Sequence, residues 1–307
     1  MLTGGLTVDK LYRNKLVIIV LITPGLLTFL FAILVPILLN IYYSLTDWSG
    51  LGAYTYIGWA NYVELMNDSI FWLSLRNAFL LAAGFIIIQH PLAILTAVIL
   101  DRMQNRAEGF FKVVYFIPNV ISVAVIASLW RFIYNPNFGL LNNIIAFFGG
   151  QGDTNWLGAG TVLPAVLVVL IWHGFGWGML IYYTGIKSID PILYEAAAID
   201  GANASQTFFR ITLPQMKPVI QVNVTLAIIA ALKQMETVFL LTPRGGPGNQ
   251  TQFVAAYLYE QGFLSQRFSY GSTISVIFII ICLVATVILN KAFADREKIR
   301  KGVPRNV

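Results

Sequence analysis

The sequence predicts an all-α membrane protein with six transmembrane helices. Three observations carry that prediction. Hydrophobic residues make up 57% of the chain against 11% charged, and the mean hydropathy is +0.73. Six apolar runs are each long enough to cross ~30 Å of hydrocarbon at ~1.5 Å per residue. A soluble domain does not require so apolar a composition. The spans are expected near 16–43, 77–100, 113–134, 162–186, 218–242 and 271–291, in one domain over 1–307 without linkers or internal repeats.

The run 16–43 is too long for a signal-peptide core and lacks a convincing small-residue cleavage site, so it is expected to stay as a helix. The stretch after it is rich in aromatics (Tyr43, Trp48, Trp59, Tyr62, Phe71 and Trp72), which suit a membrane–water interface. The second run holds His90. The third holds Asn119 and Ser122, polar groups able to bond between helices. In the fourth, Trp172-His173-Gly174-Phe175-Gly176-Trp177-Gly178 spaces Gly174 and Gly178 as a small-xxx-small helix contact; the aromatics leave packing or a ligand contact open. The fifth run ends where Leu241-Thr242-Pro243-Arg244-Gly245-Gly246-Pro247-Gly248 cannot continue a helix. Cys282, the single cysteine, lies in the sixth and can form no internal disulfide or metal cluster.

Orientation follows from the basic residues. Lys10, Arg13, Lys15, Arg102, Arg106, Lys112, Lys187, Arg210, Lys217, Lys291, Arg296, Lys298, Arg300, Lys301 and Arg305 fall on one side, fifteen of the twenty Lys and Arg. Arg76, Arg131, Arg244 and Arg267 fall on the other side or its boundary, and Lys233 inside a span. The rule that cytoplasmic loops retain Lys and Arg puts both termini and the segment 188–216 in the cytoplasm. The net charge of +6 is then mostly a topology signal. No basic stripe interleaved with aromatics marks a nucleic-acid partner, and membrane lipid is the expected surroundings.

The segment 188–216 is a polar, helix-patterned insert between two membrane-length runs. Asp190 can cap a helix with Pro191 in its first turn. Ala196, Ala197 and Ala198 favour the helix, and Gly201 suits the left-handed residue that ends it. Pro214 is expected to stop a second short helix. Glu195, Ala196, Ala197, Gly201, Ile211, Leu213 and Pro214 stand at the spacing Glu-Ala-Ala, three residues, Gly, nine residues, Ile, one residue, Leu-Pro.

This spacing resembles the EAA motif of permease subunits in ATP-binding-cassette importers. The Gly58-x-x-Asn61-Tyr62 stretch, the Phe71-Trp72-x-Ser74-x-x-Asn77 stretch and the Leu241-Thr242-x-x-Gly245-Gly246-Pro247 pattern are similar to carbohydrate-importing permeases of the maltose type. No large domain is inserted in the outer loops, which argues against maltose itself. The resemblance runs from about residue 15 to 292 and implies a type I ABC importer permease fold in a bacterial cell membrane. It further implies a second permease subunit, two ATPase subunits that bind ATP and Mg, and an extracytoplasmic solute-binding protein. The segment 188–216 would then be the coupling segment gripped by an ATPase. Glu195 offers a carboxylate to a basic partner there, and the small alanines allow close approach.

Candidate path residues are Asn119, Ser122, Trp172, Asn223, Lys233, Gln234, Glu236 and Thr237. At about 100° per residue, those from Asn223 to Thr237 share an arc of roughly 160° on the fifth span, and Lys233 and Glu236, three apart, are expected to pair. Such donors and acceptors suit a hydroxyl-rich solute, and the resemblance implies that this span lines a sugar path. Lys233 snorkelling to the interface is the other open reading. His90 and His173 lie on different spans with no acidic or cysteine companion, so neither metal nor proton relay is expected. The chain has no Gly-x-x-x-x-Gly-Lys-Ser/Thr loop and no nucleophile–base constellation in its soluble segments. It is expected to be no enzyme and to hold no cofactor. The rival class is an ion-coupled secondary transporter, which would require several intramembrane carboxylates.

Overall fold

The computed structural model describes residues 15–103 and 106–300, with side chains to residue 289 and at Lys291. Lys10, Arg13, Lys301 and Arg305 of the charge argument lie outside the described residues, as do the side chains of Arg296, Lys298 and Arg300. Four helical runs are long and apolar enough to cross a membrane: Lys15–Tyr43, Ser69–Arg102, Val162–Lys187 and Phe268–Leu289. Two bent pairs, Arg106–Val120 with Val123–Ile133 and Ala204–Gln215 with Lys217–Leu232, raise the number to six if each is one span. The fold is an all-α, multi-span membrane fold.

Contacts divide the chain into two compact units. The first takes the residues up to Asn67 together with Gln261–Ile277. It opens with α1 (Lys15–Phe29), a π turn at Leu30–Leu34 and α2 (Val35–Tyr43), none of which buries a residue among the described residues. The π turn has a sequence cause. Pro36 has no N–H for the carbonyl four residues back, so the helix loosens just before it. The same register recurs twice elsewhere, with π turns at Phe85–Gln89 before Pro91 and at Phe208–Thr212 before Pro214.

After α2 the chain turns back, and α3 (Ala60–Met66) holds the turn. The Asn61 amide donates to the carbonyls of Ser44 (3.0 Å) and Thr46 (2.8 Å), and the Tyr62 hydroxyl meets Ser44 Oγ at 2.7 Å. Ser269 Oγ meets Thr46 Oγ1 at 2.7 Å and accepts from the Trp48 N–H at 2.9 Å. The Gly-x-x-Asn-Tyr stretch therefore has a structural role in satisfying buried backbone groups of a turn.

The second unit takes Asp68–Glu260 and the residues from Phe278 on. Asp68 caps α4 (Ser69–Gly84), accepting from the N–H groups of Ile70 and Phe71. The run continues through the π turn at Phe85–Gln89 into α5 (His90–Arg102). Then come α6 (Arg106–Val120), α7 (Val123–Ile133), α8 (Leu140–Phe147) and α9 (Val162–Lys187). They are followed by α10 (Pro191–Ile199), α11 (Ala204–Thr207), α12 (Leu213–Gln215), α13 (Lys217–Leu232), α14 (Glu236–Leu241), α15 (Val254–Tyr259) and, from Phe278 on, the remainder of α16 (Phe268–Arg300), whose start belongs to the first unit.

Helix α9 is the centre, packed against α5, α6 and α13. One core cluster gathers Val166, Val169 and Leu170 with Leu81, Ile228 and Leu232; a second gathers Met179 and Tyr182 with Ala93, Ala97 and Met216. Gly174 and Gly178 both face Gln89, in the π turn leading into α5, as their spacing suggests, and Gly176 makes a closer approach to a different helix. A Cβ on Gly176 would stand 2.1 Å from the Tyr115 carbonyl oxygen, so glycine there permits the α6 backbone to approach. Gly174 and Gly178 meet only side chains, the Gln89 amide at 3.0 Å and the Asn223 amide at 3.6 Å.

Two expected spans differ in form. The third, 113–134, is two helices meeting at 100°, with Ile121 and Ser122 outside both. Pro118 withholds a backbone donor just before the break. The fifth, 218–242, ends at Leu232 and restarts at Glu236, and Met235 between them is non-helical (φ −141°, ψ −60°). Beyond α14 the glycine-rich turn is held by Asn77, whose amide donates to the Gln250 and Gln252 carbonyls at 2.9 Å each.

Candidate functional site

The segment 188–216 folds as its residues dictate. Asp190 Oδ1 accepts from the Ile192 N–H at 3.0 Å and opens α10 with Pro191 behind it. The far end is a Schellman closure: Gly201 N–H donates to Ala198 O (3.1 Å) and Ala202 N–H to Ala197 O (2.9 Å), with Gly201 at φ +72°. Asn203 and Gln206 then form a reciprocal capping box at 2.9 and 2.8 Å and start α11. Both ends of α10 are thus satisfied by neighbouring sequence.

The two halves of the motif face different surroundings. Glu195, Ala196 and Gly201 are exposed, beside Ile192 (66% exposed) and Ile199 (87%). Ala197 is buried, and Ile211, Leu213 and Pro214 are partly buried. Tyr194 and Thr212 join the halves, hydroxyl to hydroxyl, at 3.2 Å. Pro214 does not stop the second helix as expected. It lies inside a continuous helical run, where its missing N–H is accommodated by the π turn Phe208–Thr212 before it, and the 67° bend comes after Gln215, at Met216.

The end of α9 that leads into α10 is tied to its neighbours. Lys187 Nζ lies 2.8 Å from Asp101 Oδ1 on α5. The Tyr183 hydroxyl donates to Glu108 on α6, which also pairs with Lys112 at 3.1 Å, and Lys112 stands over the Tyr183 ring at 4.5 Å. The end of α9 that continues into α10 is therefore bonded to both α5 and α6.

Five of the eight candidate path residues fall at the two helix breaks. Asn119 and Ser122 flank the first; Lys233, Gln234 and Glu236 flank the second. Non-helical backbone at membrane depth is tolerated where it is buried in protein or lines a hydrated cavity. The helices following the breaks, α7 and α14, pack on each other. Lys233 and Glu236 do not pair: the helical turn that would align them is absent, both are exposed, and no ion pair joins them among the described residues.

The other three candidates are packed. Asn223 is buried, and its amide donates to the Gly178 carbonyl at 3.3 Å. Thr237 is buried. Trp172 stands edge-on to Trp130 at 5.4 Å and lines an apolar cavity of about 770 Å³ with Tyr115 and Phe175.

A buried polar cluster was not anticipated. His90 Nδ1 meets the Tyr182 hydroxyl at 2.8 Å, and Gln89 lies against Gly174. Gln89 Oε1, His90 Nε2 and Asn119 Nδ2 have no hydrogen-bond partner among the described residues. The Gln89-His90-Pro91 triplet inside an apolar run was the available signal. No group of three or more His, Cys, Asp or Glu is placed to hold a metal among the described residues.

Residues 89–299 match the family described as binding-protein-dependent transport system inner membrane component. The probable ABC transporter permease protein YurN of Bacillus subtilis (strain 168) is 36% identical over 285 residues, 92% of this chain and 97% of that protein. The diacetylchitobiose uptake system permease protein NgcF of Streptomyces coelicolor is 32% identical over 268 residues, 83% of this chain and 76% of that protein. Among solved structures, a bacterial ABC transporter involved in import of the acidic polysaccharide alginate superposes with TM-score 0.79 at 22% identity, over 94% of this chain and 98% of that one. That likeness establishes the fold.

Proposed function

Because the chain belongs to the family of binding-protein-dependent transport system inner membrane components, we propose that it is the transmembrane permease subunit of an ATP-driven sugar importer. The cargo is a disaccharide, an oligosaccharide or a related polyol or glycerol phosphate. The diacetylchitobiose and alginate systems among the similar proteins support a carbohydrate cargo. An extracytoplasmic binding protein delivers the solute. A second, similar permease completes the pathway, and two ATPase subunits carry the ATP and Mg. Both termini face the cytoplasm of a bacterial cell, as the basic residues indicate. The ion-coupled alternative finds no support in the family match.

The observation that carries the reading is α10. It is a preformed, self-capped helix between two spans, with Glu195, Ala196 and Gly201 exposed. An ATPase cleft closing on it would move a rod fastened through Lys187 and Tyr183 to α5 and α6. Spans bearing the two breaks would then alternate between inward-open and outward-open states. Asn119, Ser122, Lys233, Gln234 and Glu236 are the first residues to test for solute contact.

Gly201→Asp tests the coupling role. A Cβ at Gly201 meets nothing within 4 Å, so the substitution acts through the left-handed backbone, at about 1–2 kcal/mol, and through whatever grips the segment. Membrane insertion should persist while ATP-driven uptake and ATPase co-purification are lost. Normal uptake by this variant would reject the coupling role.

A further inference from the structure

From Phe132 to Gly152 the chain contains no charged residue. It nevertheless joins the ends of apolar α7 and α9, which puts it where a bilayer meets water. Helix α8, in the middle of this stretch, sets Asn142 and Asn143 among Leu, Ile, Ala and Phe.

One face is used by the protein. Asn142 is buried; its amide donates to the carbonyls of Pro136 (3.1 Å) and Thr154 (3.0 Å), and its oxygen accepts from Trp156 Nε1 at 2.8 Å. The chain then folds back over this face through glycines. A Cβ on Gly150 would stand 2.4 Å from Ile145 Cγ2, and one on Gly152 would stand 2.8 Å from the Asn142 carbonyl oxygen. The orientation of α8 is thereby fixed.

The other face is more exposed: Leu140 and Ile144 border a cavity shared with Trp130, Tyr134 and Trp156, and Phe147 and Phe148 do not line it. Leu140, Ile144, Phe147 and Phe148 are 58%, 43%, 85% and 80% exposed. At ~100° per residue they occupy an arc of about 100°, turned away from Asn142. A continuous apolar face of this kind is unfavourable against water. Exposed Asn143 and Gln151 lie near it in sequence, but no charge does: the nearest in sequence are Arg131 and Asp153.

We infer that α8 is a membrane-surface helix, with the Leu140, Ile144, Phe147 and Phe148 face embedded among lipid acyl chains at the headgroup boundary of one leaflet. Its partner is lipid, and α8 fixes the depth at which α7 and α9 meet that surface.

The test uses the permease assembled with its partner subunits in phosphatidylcholine–phosphatidylglycerol vesicles. Cys282→Ser removes the single native cysteine. Phe147→Cys then carries an environment-sensitive fluorophore, with Gln151→Cys, at an exposed position past the apolar face, as the control. Lipid with a shallow nitroxide should quench the label at 147 several-fold more than at 151, and soluble iodide should show the reverse order. Equal access of iodide to both positions would overturn the inference. Lipid quenching at 147 that appears only when a partner protein is removed would also overturn it, because protein would then be the occupant. Phe148→Cys gives the same reading if the first variant does not assemble.

Discussion

Arg131 Nη2 donates to the Leu240 carbonyl oxygen at 2.6 Å, and Nε of the same side chain donates to the Leu241 carbonyl at 3.3 Å. These are last-turn carbonyls of α14, which have no onward helix to bond. A cation at that end also favours the helix dipole. Arg131 therefore fastens a six-residue helix to α7 and holds the two segments that follow the breaks together.

Arg131→Met should loosen that contact. The bonds are partly solvent-exposed, so the loss is near the low end for a charged hydrogen bond, about 1 kcal/mol. A lower Tm in detergent and faster thiol labelling of Gln234→Cys are expected, with Arg131→Lys intermediate. If both readouts match the parent protein, apolar packing against α7 alone holds α14.

Gly176→Ala forces a methyl onto the Tyr115 carbonyl, a backbone atom that cannot turn aside. Overpacking of this kind costs about 1–3 kcal/mol. Gly178→Ala adds a methyl at ordinary contact distance, 3.6 Å from the Asn223 amide, and should be milder. Thermal unfolding of both variants checks the order, and equal loss would place the tight helix contact elsewhere.

Asp47 gives the loop after α2 a pH dependence. The Thr55 N–H at 2.6 Å and, second, the Thr55 hydroxyl at 2.8 Å hold its carboxyl below the usual carboxylate range. A depressed carboxyl contributes above its unfolded pKa of ~3.9, and the contribution disappears as pH falls through the lower folded value. Exchange protection at the Thr55 amide, corrected for intrinsic rate, should fall on acidification. Asp47→Asn should begin with lower protection and lose this dependence, and a parallel fall in both proteins would remove Asp47 as its cause.

Features with a local cause were legible in the sequence. Asp190, Pro191 and Gly201 each carry their own conformational instruction, and α10 forms where they place it. Pro36, Pro91 and Pro214 also act locally, each with a π turn just before it, but reading Pro214 as a helix stop did not find that effect. The break at Lys233–Met235 was not legible, because no proline or glycine stands there. It accompanies the packing of α14 on α7 and the Arg131 bonds from more than a hundred residues away, so a helical arc drawn through Lys233 and Glu236 failed. The Gly176 contact was missed for a related reason. Spacing identifies small residues, but only the crossing of α6 decides which one meets a backbone.

The closure of α10 by Asp190 and Gly201 has an energetic corollary. A segment that already keeps its shape unaided loses little conformational entropy when another protein seizes it. On the proposed coupling role, such a handle would be grasped and let go on every cycle without melting, leaving the free energy of each encounter to be expressed as motion.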